Sequence, residues 1–220
     1  MTTFAYGEPL TEVLTGLYRR AADQRSRRGP GPGRPSRGAD GGDARERAVA
    51  AQDMYMPISP STGVLAYSLV RAARPTTVVE FGMSYGISTL HLAAAVRDNG
   101  IGAIHTSELS DKKIAAASAS FAEAGVADLI TVHDGDALET LAAIEGPIGF
   151  LLLDGWKDLY VPVLRLLEDR LVPGSLILAD NADHAGTAPY LEYVRDARNG
   201  YTGVYLDSDR IGAIELSCRI

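Results

Sequence analysis

The sequence predicts an α/β protein with a doubly wound, mostly parallel sheet of about seven strands. Three observations lead to this prediction. Strand-like and helix-like stretches alternate through most of the chain, the strand-like runs are continuously apolar, and only a short polar turn separates the last two strands. Buried parallel strands joined by helices produce the first two patterns. A turn that short allows an antiparallel hairpin but no helical crossover, so we expect a hairpin at the C-terminal end.

Helices are expected before the sheet begins. Apolar residues recur at helical spacing from Leu10 to Tyr18, which predicts a helix within residues 1–28. In residues 29–43, nine of fifteen residues are Gly or Pro, so this segment, flanked by arginines, is predicted to be a flexible loop. It is interpreted either as a linker or as a lid whose arginines meet an anionic substrate. Further helices are expected near 44–56 and 61–73.

The regular alternation begins after these helices. Strands are predicted at 76–82, 102–109, 129–135, 148–154 and 175–180, and the closing pair at 202–208 and 210–218. Helices are predicted between them at 88–96, 112–125, 137–144, 159–171 and near 187–198. We therefore assign the main domain to residues 44–220.

Composition excludes several classes of protein. A formal net charge of −7 argues against a general binder of nucleic acid or of anionic membranes. The single cysteine, Cys218, cannot form an internal disulfide and fits a reducing compartment. The N-terminus lacks the features of a signal peptide, and no apolar run approaches the length that spans a bilayer. The expectation is a cytoplasmic protein without a nucleic-acid or membrane partner.

The strand ends are the most informative positions, because ligands of open α/β sheets bind outside the carboxyl ends of the strands. Each predicted parallel strand ends at or next to an acid, and these acids are Glu80, Glu108, Asp134, Asp154 and Asp180. Simple turn chemistry is the alternative explanation for any one of them. Together, on successive strands, they indicate a ligand site.

The first strand end favours one cofactor class over another. Gly82 and Gly86 allow the backbone to approach a ligand, but Ser84 takes the middle position of the dinucleotide-binding pattern G-x-G-x-x-G. Glu80 would repel a pyrophosphate and attract an ammonium group. Glu108 falls where an acid binds ribose hydroxyls. An ammonium and a ribose without phosphates indicate S-adenosylmethionine rather than NAD.

Asp154, Asp180 and Asn181 form a second constellation. Asp154 and Asp180 are one strand–helix–strand step apart, so their strands can be neighbours. Three oxygen ligands without His or Cys suit Mg²⁺ better than Zn²⁺. The alternatives are a helix cap at 180–181 and an ordinary turn at 154–155.

The motifs "DGWKDLY" (154–160) and "LILADN" (176–181) resemble the catechol O-methyltransferase and caffeoyl-CoA O-methyltransferase group. These are metal-dependent class I methyltransferases that use S-adenosylmethionine. The resemblance covers roughly residues 50–220 and includes "EFGMSYGIS" (80–88), "SEL" (107–109) and "HDGDAL" (133–138). It implies a Rossmann-like methyltransferase fold with added N-terminal helices.

The resemblance also implies a role for each matching residue. The implied cofactor site comprises Ile58, Glu80, Gly82, Ser84, Gly86, Ser88, Glu108, Leu109, Asp136, Ala137, Asp154 and Trp156. Within it, Glu80 would hold the methionyl amine, Ser88 and the Ile58 backbone its carboxylate, Glu108 the ribose, and Asp136 and Ala137 the adenine. Mg²⁺, or another divalent cation such as Mn²⁺ or Ca²⁺, would bind Asp154, Asp180 and Asn181. Lys157 would be the base, and the acceptor would contact Met56, Trp156, Lys157 and Asn181.

The implied activity is transfer of a methyl group to one hydroxyl of a small catechol-like acceptor, and a homodimer is compatible with the resemblance. One alternative is an NAD-dependent oxidoreductase, against which Ser84 and Lys157 count. Another is a cofactor-binding interaction domain that has lost catalysis. The presence of Lys157, Asp154, Asp180 and Asn181 argues against it. No acid near residue 203 matches the family's second substrate anchor, and Met54 and Ala185 replace apolar residues around the acceptor ring. The acceptor itself therefore stays open.

Overall fold

The computed structural model describes residues 5–28, 43–208 and 212–220. Within them the strands are β1 (Thr77–Phe81), β2 (Ala103–Glu108), β3 (Ile130–Asp134), β4 (Ile148–Leu153), β5 (Leu171–Asp180), β6 (Tyr201–Ser208) and β7 (Gly212–Arg219). The helices are α1 (Leu10–Arg28), α2 (Ala44–Ala50), α3 (Pro60–Ala73), α4 (Ile87–Asn99), α5 (Asp111–Glu123), α6 (Ala137–Thr140), α7 (Tyr160–Leu167) and α8 (Ala188–Arg195). The predicted loop at 29–43 lies outside the described residues except for Asp43.

The strands form one sheet in the order β3-β2-β1-β4-β5-β7-β6. β1 to β5 pair in parallel, and β7 pairs antiparallel with both β5 and β6. This is the predicted doubly wound, mostly parallel sheet with its C-terminal antiparallel hairpin, and the prediction is confirmed. The chain order reverses between β1 and β4, and this is the point where α/β sheets open a crevice for ligands.

Several element boundaries differ from the prediction. α2 ends at Ala50 rather than near residue 56, and β5 begins at Leu171 rather than at residue 175. α6 and α7 are shorter than predicted because each continues as a 3-10 turn, at Leu141–Ala143 and Glu168–Arg170. Boundaries of this kind depend on tertiary contacts that periodicity does not report.

Apolar side chains cover both faces of the sheet and form two hydrophobic cores. One core includes Val78, Phe150 and Leu152 and packs against α1, α3, α4 and α5. The other includes Val79 and Leu151 and packs against α6, α7 and α8. Adjacent strand residues therefore serve opposite cores, which explains the continuous apolar runs in the sequence. No helix in the described ranges is both long and apolar enough to cross a bilayer.

The N-terminal helix is attached to the sheet domain around a buried histidine. His91 of α4 is fully buried, and its Nδ1 lies 2.8 Å from the Tyr6 hydroxyl. Its Nε2 lies 3.1 Å from the hydroxyl of Tyr18, on α1. Burial lowers the pKa of His91 to about 3, so the ring is neutral in the folded chain at neutral pH.

Because His91 is buried as a neutral ring, we expect the folded protein to lose stability in mild acid. The pKa of His91 in the folded state lies below its unfolded value of 6.5. The stability that depends on neutral His91 is therefore fully present above pH 6.5 and is lost as the pH falls below that value. Between pH 7.5 and 5.0 the free energy of unfolding should fall by about 2 kcal/mol through this group. Urea titrations of wild type and His91→Gln at both pH values measure it as the difference between the two proteins. Identical pH dependence in both would contradict this assignment.

Candidate active site

A pocket opens at the carboxyl ends of β1 and β4, beside the switch in strand order. It is lined by Tyr55, Met56, Pro57, Ile58, Gly82, Met83, Ser84, Tyr85, Ile87, Ser88 and Asp154. Six of the predicted cofactor or acceptor residues meet there, namely Met56, Ile58, Gly82, Ser84, Ser88 and Asp154. Polar and apolar groups both line the pocket, and such a combination can orient a small molecule.

The turn between β1 and α4 forms the floor of this pocket and requires its glycines. Gly82 has φ +101°, and a Cβ at this position would lie 2.6 Å from the backbone nitrogen of Gly155. Gly86 has φ +79°, and its Cβ would lie 2.6 Å from the ring of Phe121. Both glycines therefore permit close packing inside the protein, Gly82 against the end of β4 and Gly86 against α5.

Glu108 fixes the same turn from the end of β2. Its Oε2 accepts a hydrogen bond from the backbone N–H of Ser84 at 2.8 Å. Its Oε1 accepts from the backbone N–H groups of Leu109 at 2.9 Å and Ser110 at 3.0 Å. The carboxylate is only partly buried. It is thus oriented by the backbone at the edge where the prediction places a ribose.

Glu80 lies beneath the turn rather than on its surface. Its side chain is fully buried, and Oε2 accepts hydrogen bonds from the hydroxyls of Thr89 and Thr106, each at 2.5 Å. Burial raises the pKa of this carboxyl, and the neighbouring hydroxyls of Ser88, Thr106 and Thr89 oppose that shift. Direct contact between Glu80 and a ligand amine stays a prediction, because the carboxylate faces the interior.

Two further acids meet where β4 and β5 end. Asp180 is 6% exposed, the Asp154 side chain is 12% exposed, and Asn181 Nδ2 donates to Asp180 Oδ2 at 2.8 Å. Burial raises the pKa of Asp154 to about 6 and that of Asp180 to about 7, and repulsion from Asp154 adds to the second shift. Lys157 lowers both pKa values through its positive charge. The predicted convergence of the two acids and Asn181 is therefore present.

This arrangement fits a bound cation. Two carboxylates whose pKa values are raised by burial gain stability from a positive charge between them. Within the described ranges, no three side chains of His, Cys, Asp or Glu come together as a metal site. The third predicted ligand at this cluster is instead the amide of Asn181. A set of two carboxylates and an amide oxygen suits a hard cation such as Mg²⁺.

Lys157 reaches this cluster from the turn after β4. Its Nζ lies 3.2 Å from Asp154 Oδ1 and donates to the Tyr160 hydroxyl at 2.7 Å. Tyr160 in turn donates to the backbone carbonyl of Asp180 at 3.0 Å, and burial keeps its pKa well above the ordinary value. Tyr160 was not among the predicted site residues. Its position three residues after Lys157, in a helical turn, is the sequence signal that could have identified it.

The remaining predicted residues lie outside the lining of this pocket. Asp136 is the N-cap of α6, where Oδ1 accepts from the backbone N–H of Leu138 at 2.9 Å, and Ala137 is buried behind it. Trp156 lies beside the guanidinium of Arg47, with the Arg47 Cζ 4.7 Å from the ring centroid. Contacts of Asp136, Ala137 and Trp156 with a cofactor stay predictions.

A tyrosine pair closes one side of the pocket and was not predicted. The rings of Tyr55 and Tyr85 stack with centroids 4.2 Å apart. The Tyr85 hydroxyl donates to the backbone carbonyl of Gln52 at 2.8 Å. These contacts place the chain that follows α2 over the turn after β1.

Comparisons with known proteins point to one family. A methyltransferase-domain family matches residues 79–182. The Mycobacterium tuberculosis protein named "Probable O-methyltransferase Rv1703c" is 31% identical over 155 residues, which cover 66% of this chain and 65% of that protein. Catechol O-methyltransferase B of Danio rerio is 29% identical over 164 residues, covering 71% of this chain and 61% of that protein. The chain thus spans less than two thirds of the length of either relative.

A solved structure agrees with the fold. The O-methyltransferase TomG from Streptomyces achromogenes, which is involved in tomaymycin synthesis, was crystallised in complex with S-adenosylmethionine. It superposes with a TM-score of 0.68 at 21% identity, covering 81% of this chain and 90% of TomG. At this identity the likeness concerns the architecture.

Proposed function

We propose that the chain is an O-methyltransferase of the class I group, because it is similar to a methyltransferase-domain family and to named O-methyltransferases, and that it transfers a methyl group from S-adenosylmethionine to one of two adjacent hydroxyls of a small acceptor. One observation carries the proposal. Asp154 lines the cofactor pocket and also contacts Lys157 Nζ at 3.2 Å, beside the buried Asp180. The predicted base and cation ligands therefore border the pocket in which the methyl donor would lie.

The cofactor half of the proposed mechanism rests on positioning. Bound S-adenosylmethionine would supply an electrophilic methyl group on its sulfonium. Glu108, already held by three backbone N–H groups, would accept hydrogen bonds from ribose hydroxyls without further ordering. Ser88 and Ile58 are among the residues that line the pocket. The amino-acid end of the donor would bind beside them. Fixed contacts at both ends would orient the methyl group for in-line transfer.

The acceptor half depends on the cluster around Lys157. A divalent cation, when bound, would polarise the acceptor hydroxyl and make it more acidic. Asp154, Asp180 and Asn181 are the side chains that would hold it. In its neutral amine form, Lys157 would accept the hydroxyl proton and become an ammonium. The acceptor oxyanion would then bond to the methyl carbon as the carbon–sulfur bond breaks, and S-adenosylhomocysteine would leave. Tyr160 would keep the amine in place through its 2.7 Å contact.

The acceptor class follows from the walls of the site. Met56 lines the pocket and is 42% exposed, so an apolar ring has a surface to pack against. Two adjacent oxygens could share one cation, with one of them facing Lys157. The resemblance to catechol O-methyltransferases supports a catechol-like acceptor. The missing acid near residue 203 leaves room for other vicinal diols.

The cofactor assignment predicts a specific loss of affinity. Glu108→Gln keeps the shape of the side chain but removes its charge and one acceptor oxygen. Binding of S-adenosylhomocysteine should weaken by about 1.5–3 kcal/mol, which is about 10–100-fold in Kd, as expected for lost hydrogen bonds to a charged group. Isothermal calorimetry measures this change, and Glu123→Gln, an exposed acid on α5, is the matched control.

The same titration separates the competing functions. NAD should give no binding heat, because the turn after β1 lacks the middle glycine of a dinucleotide site. Tight NAD binding would favour an oxidoreductase. Unchanged affinity of Glu108→Gln for S-adenosylhomocysteine would remove Glu108 from the cofactor site.

A further inference from the structure

Arg47 contacts both chain neighbours of Lys157. Its guanidinium forms a bidentate pair with the Asp158 carboxylate, with N–O distances of 3.0 and 3.1 Å. The other neighbour, Trp156, presents its ring to the same guanidinium at 4.7 Å from Cζ to centroid. Arg47 lies on α2, 111 positions before Asp158 in the chain. A single side chain from a distant helix thus fixes both sides of the proposed base.

The contacts of Arg47 orient the Asp158 and Trp156 side chains more than they raise the free energy of unfolding. Arg47 is only 9% exposed, and its Nε is buried without a hydrogen bond in the described part of the chain. The ion pair is buried only on the arginine side, because the Asp158 side chain is 38% exposed. Solvent therefore screens the attraction, and the pair adds little net stability. A bidentate fork, by contrast, sets both distance and orientation, and a guanidinium beside an indole adds a second directional contact.

Arg47 joins two short elements. Lys157–Leu159 is a single 3-10 turn whose N-cap, Trp156, makes no side-chain capping bond. α2 has seven residues, a length at which a helix is marginal without tertiary contacts. Each of these short elements is therefore held in part by the other.

We propose that Arg47 is a positioning residue that sets the orientation of Trp156 and of the turn carrying Lys157. The inference rests on the proposed function for its catalytic consequence, but its structural part does not. Without the guanidinium, the Trp156 ring gains freedom, and the Lys157 amine loses the fixed backbone from which it reaches the acceptor. The Glu108 end of the cofactor site lies on other elements and keeps its contacts.

Tryptophan fluorescence tests the structural part directly, because Trp156 is the only tryptophan in the sequence. Arg47→Met removes the guanidinium and retains an unbranched apolar side chain. We expect lower emission anisotropy and stronger acrylamide quenching of Trp156 than in wild type. Arg45→Met, an exposed arginine on the same helix, is the matched control and should resemble wild type.

Steady-state kinetics test the catalytic part. In Arg47→Met, kcat/KM for the acceptor should fall by about 10–100-fold, the loss that a small misplacement of a catalytic group produces. The Kd of S-adenosylhomocysteine should change less than kcat/KM, because Trp156 is one of several predicted cofactor residues and Glu108 keeps its contacts. If Arg47→Met does not fold, Asp158→Asn removes the other half of the bidentate pair and takes its place. Wild-type anisotropy and quenching, or an equal change in Arg45→Met, would overturn the inference. A freed Trp156 with undiminished kcat/KM would overturn its catalytic part.

Discussion

Replacing Lys157 by methionine should lower kcat by about 10²–10⁴-fold, the usual contribution of a general base. The substitution keeps the aliphatic stem and removes the amine that lies between Asp154 and Tyr160. S-adenosylhomocysteine binding should persist, because the cofactor contacts come from other side chains. Initial rates with saturating donor and an ordinary catechol at neutral pH measure the effect.

Two comparisons make this result specific to proton removal. Lys112→Met, an exposed lysine paired with Asp53, should keep wild-type rates because surface ion pairs contribute little. Nitrocatechol, whose hydroxyl is already acidic, should lose less rate in Lys157→Met than catechol does. A near wild-type rate with catechol would show that Lys157 is not the base.

Replacing Asp180 by asparagine should remove the response to Mg²⁺. The side chain keeps its size, but the buried pair loses one of its two charges. Loss of a residue that only supports a metal ligand lowers metal affinity by about 10–100-fold. Because Asp180 is a proposed ligand itself, its replacement should lower the affinity by at least as much, and turnover should fall with it. Wild type should lose turnover in EDTA and regain it with Mg²⁺, whereas the variant should stay inactive at the same Mg²⁺ concentration.

Thermal unfolding provides a readout that does not depend on turnover. A ligand that binds only the folded state raises Tm, so Mg²⁺ should stabilise wild type and not Asp180→Asn. Asp128→Asn, an exposed acid just before β3, is the control and should respond like wild type. Full activity of wild type after exhaustive chelation would place the protein among metal-independent methyltransferases.

The sequence was sufficient for the parts of this protein that depend on local pattern. Alternating apolar strands and helices predicted the sheet and its C-terminal hairpin. The spacing of Asp154 and Asp180 predicted neighbouring strands, and β4 and β5 do pair. The glycines at 82 and 86 were predicted to let the backbone approach a ligand, and in the structure they allow close contact with Gly155 and Phe121.

Features that depend on long-range contacts were not predictable. α2 ends early, and the chain beyond it is held instead by Tyr85, which bonds the Gln52 carbonyl and stacks on Tyr55. The orientation of Glu80 depends on hydroxyls from α4 and β2. The sequence alone therefore could not show whether this carboxylate faces the pocket or the protein interior. The contact between Arg47 and Asp158 joins segments that no local pattern relates.

Transfer of a labelled methyl group tests the central claim most directly. Wild-type protein is incubated with S-adenosylmethionine carrying a deuterated methyl group, Mg²⁺, and a panel of vicinal diols that includes catechol, with resorcinol as the isomer whose hydroxyls are not adjacent. Mass spectrometry of the products should find one labelled methyl group on a vicinal diol and none on resorcinol. Equal labelling of resorcinol, or no labelled product from any vicinal diol while S-adenosylhomocysteine binds, would contradict the claim.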